Sequence, residues 1–577
     1  MKKLLQYLLI LSLLTPLFLD LHFFQPYVIG QYFFFFTFIL LSLPLVFYFL
    51  PQTKNLWQNK YFLTLVSWFF LQFILALFSV DYNRSFWGDW QRMDGLFYYW
   101  PFLVFFIALL IAFRYKTAWQ KLFFTQQLIF LATVIWAWGQ KFSFWIFADE
   151  QAGRVYALIG NANFLAHYLL LAFYLSLFLF FTQTKYRHLH LALAIFSVPA
   201  LYWTLSRGAW LALLSSLLFL VVWQIWQFIK VKNWRALKII SVLVIFSFLS
   251  LYFVSDQRHK KVTLTDSTVE TRLVAWKAAY QGFLDKPIFG WGRNNFQIVF
   301  NKYLDNKIYT GPGTPMWFDK AHNQYFDALT EGGAVGLLIY LLFLAWPFLL
   351  VKKIYPHNKQ VIFLSAGLIA NLIFLFFNFD TQAAYILYFV YLAYLYYLAF
   401  GKELEEIKVK KNLQIKFYIV GFILTIFLGH YLYYLPLKAN ILTKQTQVEK
   451  TSSSELISKA QKAMFLAPQY ISDINFAVAT AASGHDWLLD DKRQILSYLA
   501  DLSTQNSQKH ILDAKSHFLT ANSYLELGAL GVNKDLVNKA LAYYQDIMPR
   551  LTPADRPDVQ EKIQQAQNIL KLLENNL

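Results

Sequence analysis

His322 is the side chain in this sequence best suited to take a proton from a nucleophile, because an unperturbed imidazole titrates close to neutrality. It stands in Asp319-Lys320-Ala321-His322-Asn323, just ahead of a helical run that begins near Ala321 and leads to Gly332-Gly333. Two arginines are candidates to act with it. Ser206-Arg207-Gly208 joins two apolar blocks with almost no loop, which pins a guanidinium at the rim of the bundle, and Arg272 sits beside the apolar stripe of a later helix. Ionisable residues at a membrane interface are functional candidates because desolvating them is expensive unless something pairs with them. Each also has a plainer reading: Arg207 snorkelling to headgroups, Arg272 solvated on a surface, His322 facing solvent at a helix start.

Two further groups precede apolar blocks. Arg154, Asn161 and Asn163 form one, and Ser85, Gly88, Arg92 and Gly95 the other. Capping and interfacial anchoring explain both groups more simply than substrate binding does. Gly333 and Gly336 have the spacing of helix packing.

The elements that must position these residues are membrane helices. With 58% hydrophobic and 20% aromatic residues, the chain is too apolar for ordinary soluble domains, and its apolar residues fall in blocks of helical length rather than in alternating strands. The candidate spans are 4–19, 28–50, 61–80, 95–113, 122–138, 164–183, 191–205, 209–229, 239–254, 334–351, 361–379, 384–400 and 417–434, about 13 in all. Met1-Lys2-Lys3 and its apolar run lack a small-residue cleavage site, so this segment is expected to be a retained span rather than a signal peptide. The fold class is therefore all-α, a polytopic membrane bundle over residues 1–434, with a large extracytoplasmic loop at 255–333 and a soluble helical domain at 435–577. Basic residues collect in alternate short loops, which places those loops in the cytoplasm and the large loop and tail outside. The formal charge of +18 is spent on this topology, which argues against a nucleic-acid partner. Having no cysteine, the chain has no disulfide, thiolate metal site or thiol nucleophile.

Within the loop, Ser267-Thr-Val-Glu270 has capping-box spacing, and Leu273, Trp276, Tyr280, Phe283 and Leu284 follow at helical intervals, so a helix is expected to lay this face on the membrane or the bundle. Pro287 and Gly290-Trp291-Gly292 stop it, and Gly311-Pro312-Gly313 with Pro315 marks a second break. In the tail, Tyr524, Leu527, Gly528, Ala540 and Tyr544 match tetratricopeptide-repeat spacing, with Pro553 one place late and Gly531 where an aromatic is usual; a helical hairpin array of no particular family fits as well.

The sequence resembles the O-antigen ligase and polymerase superfamily of membrane glycosyltransferases. The ligase signature is His, then Asn, Ser or Gln, nine residues, Gly, two residues, and Gly, Thr or Tyr, and His322-Asn323, Gly333 and Gly336 fit it without a gap. The serine-arginine-glycine turn at Ser206–Gly208, the arginine before an Ala-Trp helix at Arg272, and the Pro-x-x-Gly-x-Gly-x-x-x-Phe run from Pro287 to Phe296 appear in the superfamily's order. The resemblance covers roughly residues 80–400 and does not reach the tail. It implies a multi-pass protein of a bacterial cytoplasmic (inner) membrane that moves a glycan from a polyprenyl (undecaprenyl) pyrophosphate donor to an acceptor hydroxyl on the outer face. His322 would be the base, Arg207 and Arg272 would hold the pyrophosphate, and Asn323, Arg92, Arg154, Asn161, Asn163 and Arg293 would contact substrate. No cofactor is implied. No metal is expected either, since the leaving group is already good; the nearest acidic pair, Asp149-Glu150, is a weak candidate. The acceptor stays open between lipid, protein and glycan, so polysaccharide polymerisation and protein O-glycosylation remain alternatives, the latter helped by a tail that could hold a peptide or protein partner. A solute transporter is the alternative of another class, disfavoured by spans almost free of charge at their middles. A membrane anchor for the repeat domain would need fewer helices.

Overall fold

The computed structural model describes residues 1–144, 153–231, 267–303, 318–404, 407–448, 452–484, 487–531, 533–548 and 556–575, and among these every regular element is helical. The first half comprises α1 (Lys2–Ser12), α2 (Pro26–Phe49), α3 (Lys60–Ala76), α4 (Tyr82–Trp87), α5 (Trp100–Ala112), α6 (Lys116–Lys141), α7 (Ala162–Thr182), α8 (Arg187–Trp203) and α9 (Arg207–Val231). Then come α10 (Ser267–Asp285), α11 (Phe296–Tyr303), α12 (Gln324–Ile354), α13 (Val361–Leu375), α14 (Gln382–Phe400) and α15 (Lys411–Leu428). A π-helical turn at Gly429–Tyr434 carries α15 into α16 (Leu435–Val448). The tail continues as α17 (Ser453–Leu466), α18 (Ile471–Gly484), α19 (Leu489–Lys509), α20 (Ala514–Gly531), α21 (Lys534–Ile547) and α22 (Arg556–Asn575).

Among the described residues, seven helical stretches are long and apolar enough to cross a membrane: Pro26–Thr53, Lys116–Lys141, Ala162–Thr182, Arg207–Lys230, Gln324–Ile354, Gln382–Phe400 and Lys411–Gln447. Lys60–Ala76, Leu96–Ala112 and Val361–Leu375 are apolar but shorter. The expected span at 239–254, Asp149-Glu150, the break at 311–315 and Pro553 lie outside the described residues. The expected first span is a shorter element than the sequence suggested: α1 stops at Ser12, and Pro16, which has no N–H to donate, starts a separate 3-10 turn over Thr15–Leu17. Eleven residues rise only about 16 Å, roughly half the hydrocarbon thickness.

One apolar core joins α1–α3, α5–α9 and α12–α14. The loop helix α10 packs differently from its sequence pattern. Leu273, Tyr280 and Leu284 are exposed, whereas Val274, Ala275, Ala278 and Ala279 are buried against Phe296, Phe300 and Phe318. The small side chains let α10 approach α11 so closely that a Cβ on Gly282 would sit 2.2 Å from Val299. Trp276 of the same stripe packs on Phe326 and Phe376.

Beyond α10 the chain runs as a strap along a break in α12. Gly333 has φ 63°, ψ −160°, which interrupts the helix and frees backbone groups on both sides. The strap takes them up. Trp291 N–H donates to the Thr330 carbonyl (3.0 Å), Gly292 N–H to Glu331 (2.8 Å), and in return Ala334 N–H donates to Pro287 (2.8 Å) and Val335 N–H to Ile288 (3.2 Å). The contact is backbone on backbone, which is why glycines recur: a Cβ on Gly333 would meet the Ile288 carbonyl at 2.3 Å, and one on Gly290 the Thr330 carbonyl at 2.5 Å.

The tail is docked rather than tethered. Phe23, Tyr32, Trp90 and Tyr98 share one apolar cluster with Ala460, Tyr470 and Ile474, and Trp90 stacks on Tyr470 at 4.6 Å. Within the tail α18 packs on α19, α19 on α20, α20 on α21 and α21 on α22. Tyr524, Ala540 and Tyr544 meet in one cluster, with Leu527 at its edge and Gly528 against Val537, so the residues with repeat-like spacing do line a helical hairpin.

Gly333→Ala is expected to lower stability by about 2–4 kcal/mol, since it adds both positive-φ strain and a clash with the strap. Gly332→Ala, whose nearest neighbour is 3.8 Å away, is expected to leave stability unchanged or slightly raised. Denaturant unfolding of the two detergent-solubilised variants against the parent compares them, and equal effects would contradict the strap's role.

Candidate functional site

His322 is held by its neighbours' backbone. Ala321 N–H donates to Asp327 Oδ1 (2.7 Å), and the Trp276 indole donates to the Ala321 carbonyl (3.0 Å), so α10 and α12 grip the residue before the histidine from both sides. Asn323 then caps α12, accepting from Tyr325 (3.0 Å) and Phe326 (3.2 Å) N–H groups. Gln324 N–H donates to the Asn378 carbonyl at 3.0 Å. Between these anchors His322 adopts φ 52°, a left-handed conformation that a non-glycine residue keeps only where its surroundings impose it.

The imidazole lies edge-on to Phe318 (5.3 Å between centroids) and tilted against Phe379 (5.4 Å), with no hydrogen bond among the described residues. Burial pushes its pKa down to about 4; Asp319 works against this, while Arg92 and Arg272 add to it. Arg272 in turn is lowered, by burial and then by Arg207. The three residues read from the sequence as catalytic therefore share one electrostatic neighbourhood, Arg272 acting on His322 and Arg207 on Arg272. Arg272 makes no hydrogen bond among the described residues, so its guanidinium has free donors on this volume.

A layer of ion pairs flanks the histidine. Arg92 donates to both oxygens of Asp319 (2.6 and 3.0 Å) and lies 4.7 Å over the Phe379 ring, so one phenyl ring separates it from His322. Burial alone would raise Asp319, but Arg92 overrides it and holds the carboxyl well below the usual range. Next along the chain, Lys320 is buried among Asn294 Oδ1 (2.6 Å), Asp94 (2.9 Å) and Glu331 (3.1 Å). Arg293 donates to the Asp94 carbonyl (2.7 Å) and stacks 4.0 Å over Tyr99.

The remaining candidates sit around this centre in different roles. Arg92 is engaged with Asp319, and Arg293 braces the loop after α4. Asn323 is a helix cap whose buried Nδ2 has no partner among the described residues. Arg154 donates to the Thr204 carbonyl (2.8 Å) and to Asn163 Oδ1 (2.9 Å), while Asn161 caps α7, accepting from Asn163 N–H (2.9 Å). That trio fastens the chain entering α7 to the end of α8, two residues before Ser206, and so acts on Arg207 through the scaffold. Leu205 takes φ 51°, and Gly208 packs so tightly that a Cβ would come 2.7 Å from Phe377.

Sequence reasoning missed the turn between α13 and α14. Phe376 packs on Trp276, Phe377 on Gly208, and Phe379 on both Arg92 and His322, while the Asn378 carbonyl accepts from α12. Asp380 follows, its carboxyl pushed up to about 7 by burial although Tyr340 donates to it at 3.2 Å. The polar run Asn378-Phe379-Asp380-Thr381-Gln382 between two apolar blocks was the available signal.

Residues 191–341 match the family model described as O-antigen ligase. The match runs from α8 into α12 and so contains Arg207, Arg272, Arg293, His322, Asn323, Gly333 and Gly336, but not Arg92, Phe379 or the tail. No curated protein matches the chain.

Diethyl pyrocarbonate acylates only neutral imidazole, so site-resolved labelling against pH reads His322 directly. Its midpoint is expected near 4, well under the unperturbed value of about 6.5. Arg272→Gln removes one of the depressing charges and is expected to move the midpoint upward. A parent midpoint at the unperturbed value contradicts the burial described here.

Proposed function

We propose, from the match of residues 191–341 to the O-antigen ligase family model, that this membrane protein transfers a glycan from a polyprenyl pyrophosphate to an acceptor hydroxyl on the outer face of the cytoplasmic membrane. The observation that carries the proposal is the grouping in which Arg272, free to donate, acts on His322 and is itself acted on by Arg207.

The acceptor oxygen attacks the anomeric carbon, the bond from that carbon to the pyrophosphate oxygen breaks, and the hydroxyl proton passes to His322. Polyprenyl pyrophosphate leaves with the bonding electrons. Arg207 and Arg272 hold it by charge-assisted hydrogen bonds that strengthen as negative charge builds on the leaving oxygen. In the free protein the positive charges of Arg272 and Arg92 help keep His322 neutral. A bound pyrophosphate offsets them and raises the basicity of the imidazole when a donor is in place. Asp319, clamped by Arg92, stays ionised beside the imidazolium that forms. The leaving group needs no metal. Attack opposite the pyrophosphate inverts the anomeric centre, which linkage analysis of the product can contradict.

A second reading, transfer to a protein acceptor, is favoured by the docking of the tail on the loop that carries Arg92. Trp90 N–H donates to Asp473 and Asn83 to the Gln469 carbonyl (2.9 Å), so a partner bound by the tail would arrive beside the site.

Transfer from a lipid-pyrophosphate glycan pool, in a reconstituted or ligase-deficient bacterial system, tests the proposal. At matched membrane levels His322→Ala is expected to lose about 10²–10⁴-fold in rate. Arg207→Ala is expected to lose about 10²–10³-fold. A parent that works with both variants equally active overturns the site; labelled product identifies the acceptor.

A further inference from the structure

A cavity of about 120 Å³ lies where the tail meets the loop after α3, lined from the membrane domain by Phe24, Arg84, Asp89 and Gln91 and from the tail by Asp473 and Phe476, among others. Its wall is organised in advance. Ser472 donates to Asn506 (2.9 Å), Asn506 to Ser516 (3.1 Å), Ser516 to Asp513 (2.8 Å), and Arg84 Nη2 to Asp513 (3.0 Å). This network leaves one donor over. Arg84 is only 7% exposed, yet its Nη1 has no hydrogen-bond partner among the described residues. A buried guanidinium N–H without a partner is costly, and its position at a cavity marks where a ligand oxygen would be bound.

The other groups narrow the ligand. Asp89, Asp473 and Asp513 outnumber the one arginine, which disfavours a phosphate or an acidic sugar. Carboxylates and amides accept and donate to hydroxyls, while Phe24 and the half-exposed Phe476 offer apolar faces to C–H bonds. Gln91 lines both this cavity and a smaller one of about 50 Å³ bounded by Arg92, Asp94, Phe379 and Asp380, and Phe379 also packs on His322.

We infer that this interface cavity is a binding subsite for a neutral, hydroxyl-rich sugar ring of the glycan being handled, with Arg84 Nη1 and the Asp89 and Asp473 carboxylates as its polar contacts. The inference rests on the glycan-transfer proposal and extends it: the tail completes a sugar site that neither the tail nor the membrane domain holds alone. Donor and acceptor glycans present the same chemistry here.

The test uses the full chain in its host membrane with p-benzoylphenylalanine in place of Phe476, followed by irradiation and mass spectrometry of the tail peptides. Adducts carrying hexose or hexosamine increments are expected, and they should be lost when the cavity is filled by Leu519→Trp from the tail or by Gln297→Trp from the membrane domain. Using both variants separates occupancy from a folding defect of either part. Depleting lipid-linked glycan in the same cells identifies the source, because a donor adduct disappears and an acceptor adduct persists. Peptide-only or lipid-only adducts, or none, from a chain that still transfers glycan overturn the inference. His322→Ala in the same cells separates the two proposals. Loss of transfer without sugar adducts removes the cavity alone, and sugar adducts with transfer intact in His322→Ala remove the assigned base alone.

Discussion

The backbone of Pro287–Gly292 lies in the break of α12 at Gly333, and each chain satisfies N–H and carbonyl groups that the other leaves open. An unpaired backbone group in an apolar surrounding costs several kcal/mol, so a broken helix in a membrane protein survives only where something replaces its missing bonds. Here the replacement is a second stretch of backbone. This joins the loop helix α10, the strap and the outer turn of α12 into one unit. Arg272 sits on the first part of that unit and His322 at the entrance to the last, so the strap sets the spacing of the imidazole and the guanidinium.

Charge is arranged around that unit by pairing rather than by exposure. Arg92 is matched to Asp319, Lys320 to Asp94 and Glu331, and Arg293 to the Asp94 carbonyl and Tyr99. Breaking such a buried pair strands a charge, which makes these contacts rigid even where their net contribution to stability is small. Against this neutralised frame, Arg272 stands out as a buried cation whose pKa is lowered, not raised, by its surroundings. An anion arriving beside it would find an attraction that the protein has not already cancelled.

The tail is part of the same construction. Arg84 meets Asp513 across the interface with both side chains almost fully buried, and Asp81 meets His510 beside it. The loop that forms these pairs also carries Arg92 and Asp94. Movement of the tail against the membrane domain would therefore be felt at Asp319 and Lys320, the two residues immediately before Ala321, which anchors His322.

Much of this was present in the sequence because it depends on local patterns. Blocks of apolar residues with basic loops specify helices in lipid, for the bilayer leaves backbone groups no other way to be satisfied. Gly290 and Gly292 announced the stop after α10, whereas Gly333 read as helix packing and is a break in α12; the spacing from His322 to Gly336 carried the family resemblance that the match over residues 191–341 bears out. Local pattern misled where helices met. The bulky stripe of α10, expected on the membrane or the bundle, leaves Leu273, Tyr280 and Leu284 exposed while the alanine face makes the close approach, and the first apolar block was cut short by a proline whose effect depends on where the turn falls. Arg154, Asn161 and Asn163, for which capping was the simpler reading, tie the entry of α7 to the end of α8. The turn at Phe376–Asp380 looked like the end of a span and proved to be the wall of the site. Sequence alone determined the helices, their solvent and the identity of the groups able to do chemistry, since these follow from side-chain type and short-range spacing. Which groups face one another was decided only by tertiary structure, because Arg92 meets Asp319, and Arg84 meets Asp513, across hundreds of residues for which spacing carries no information.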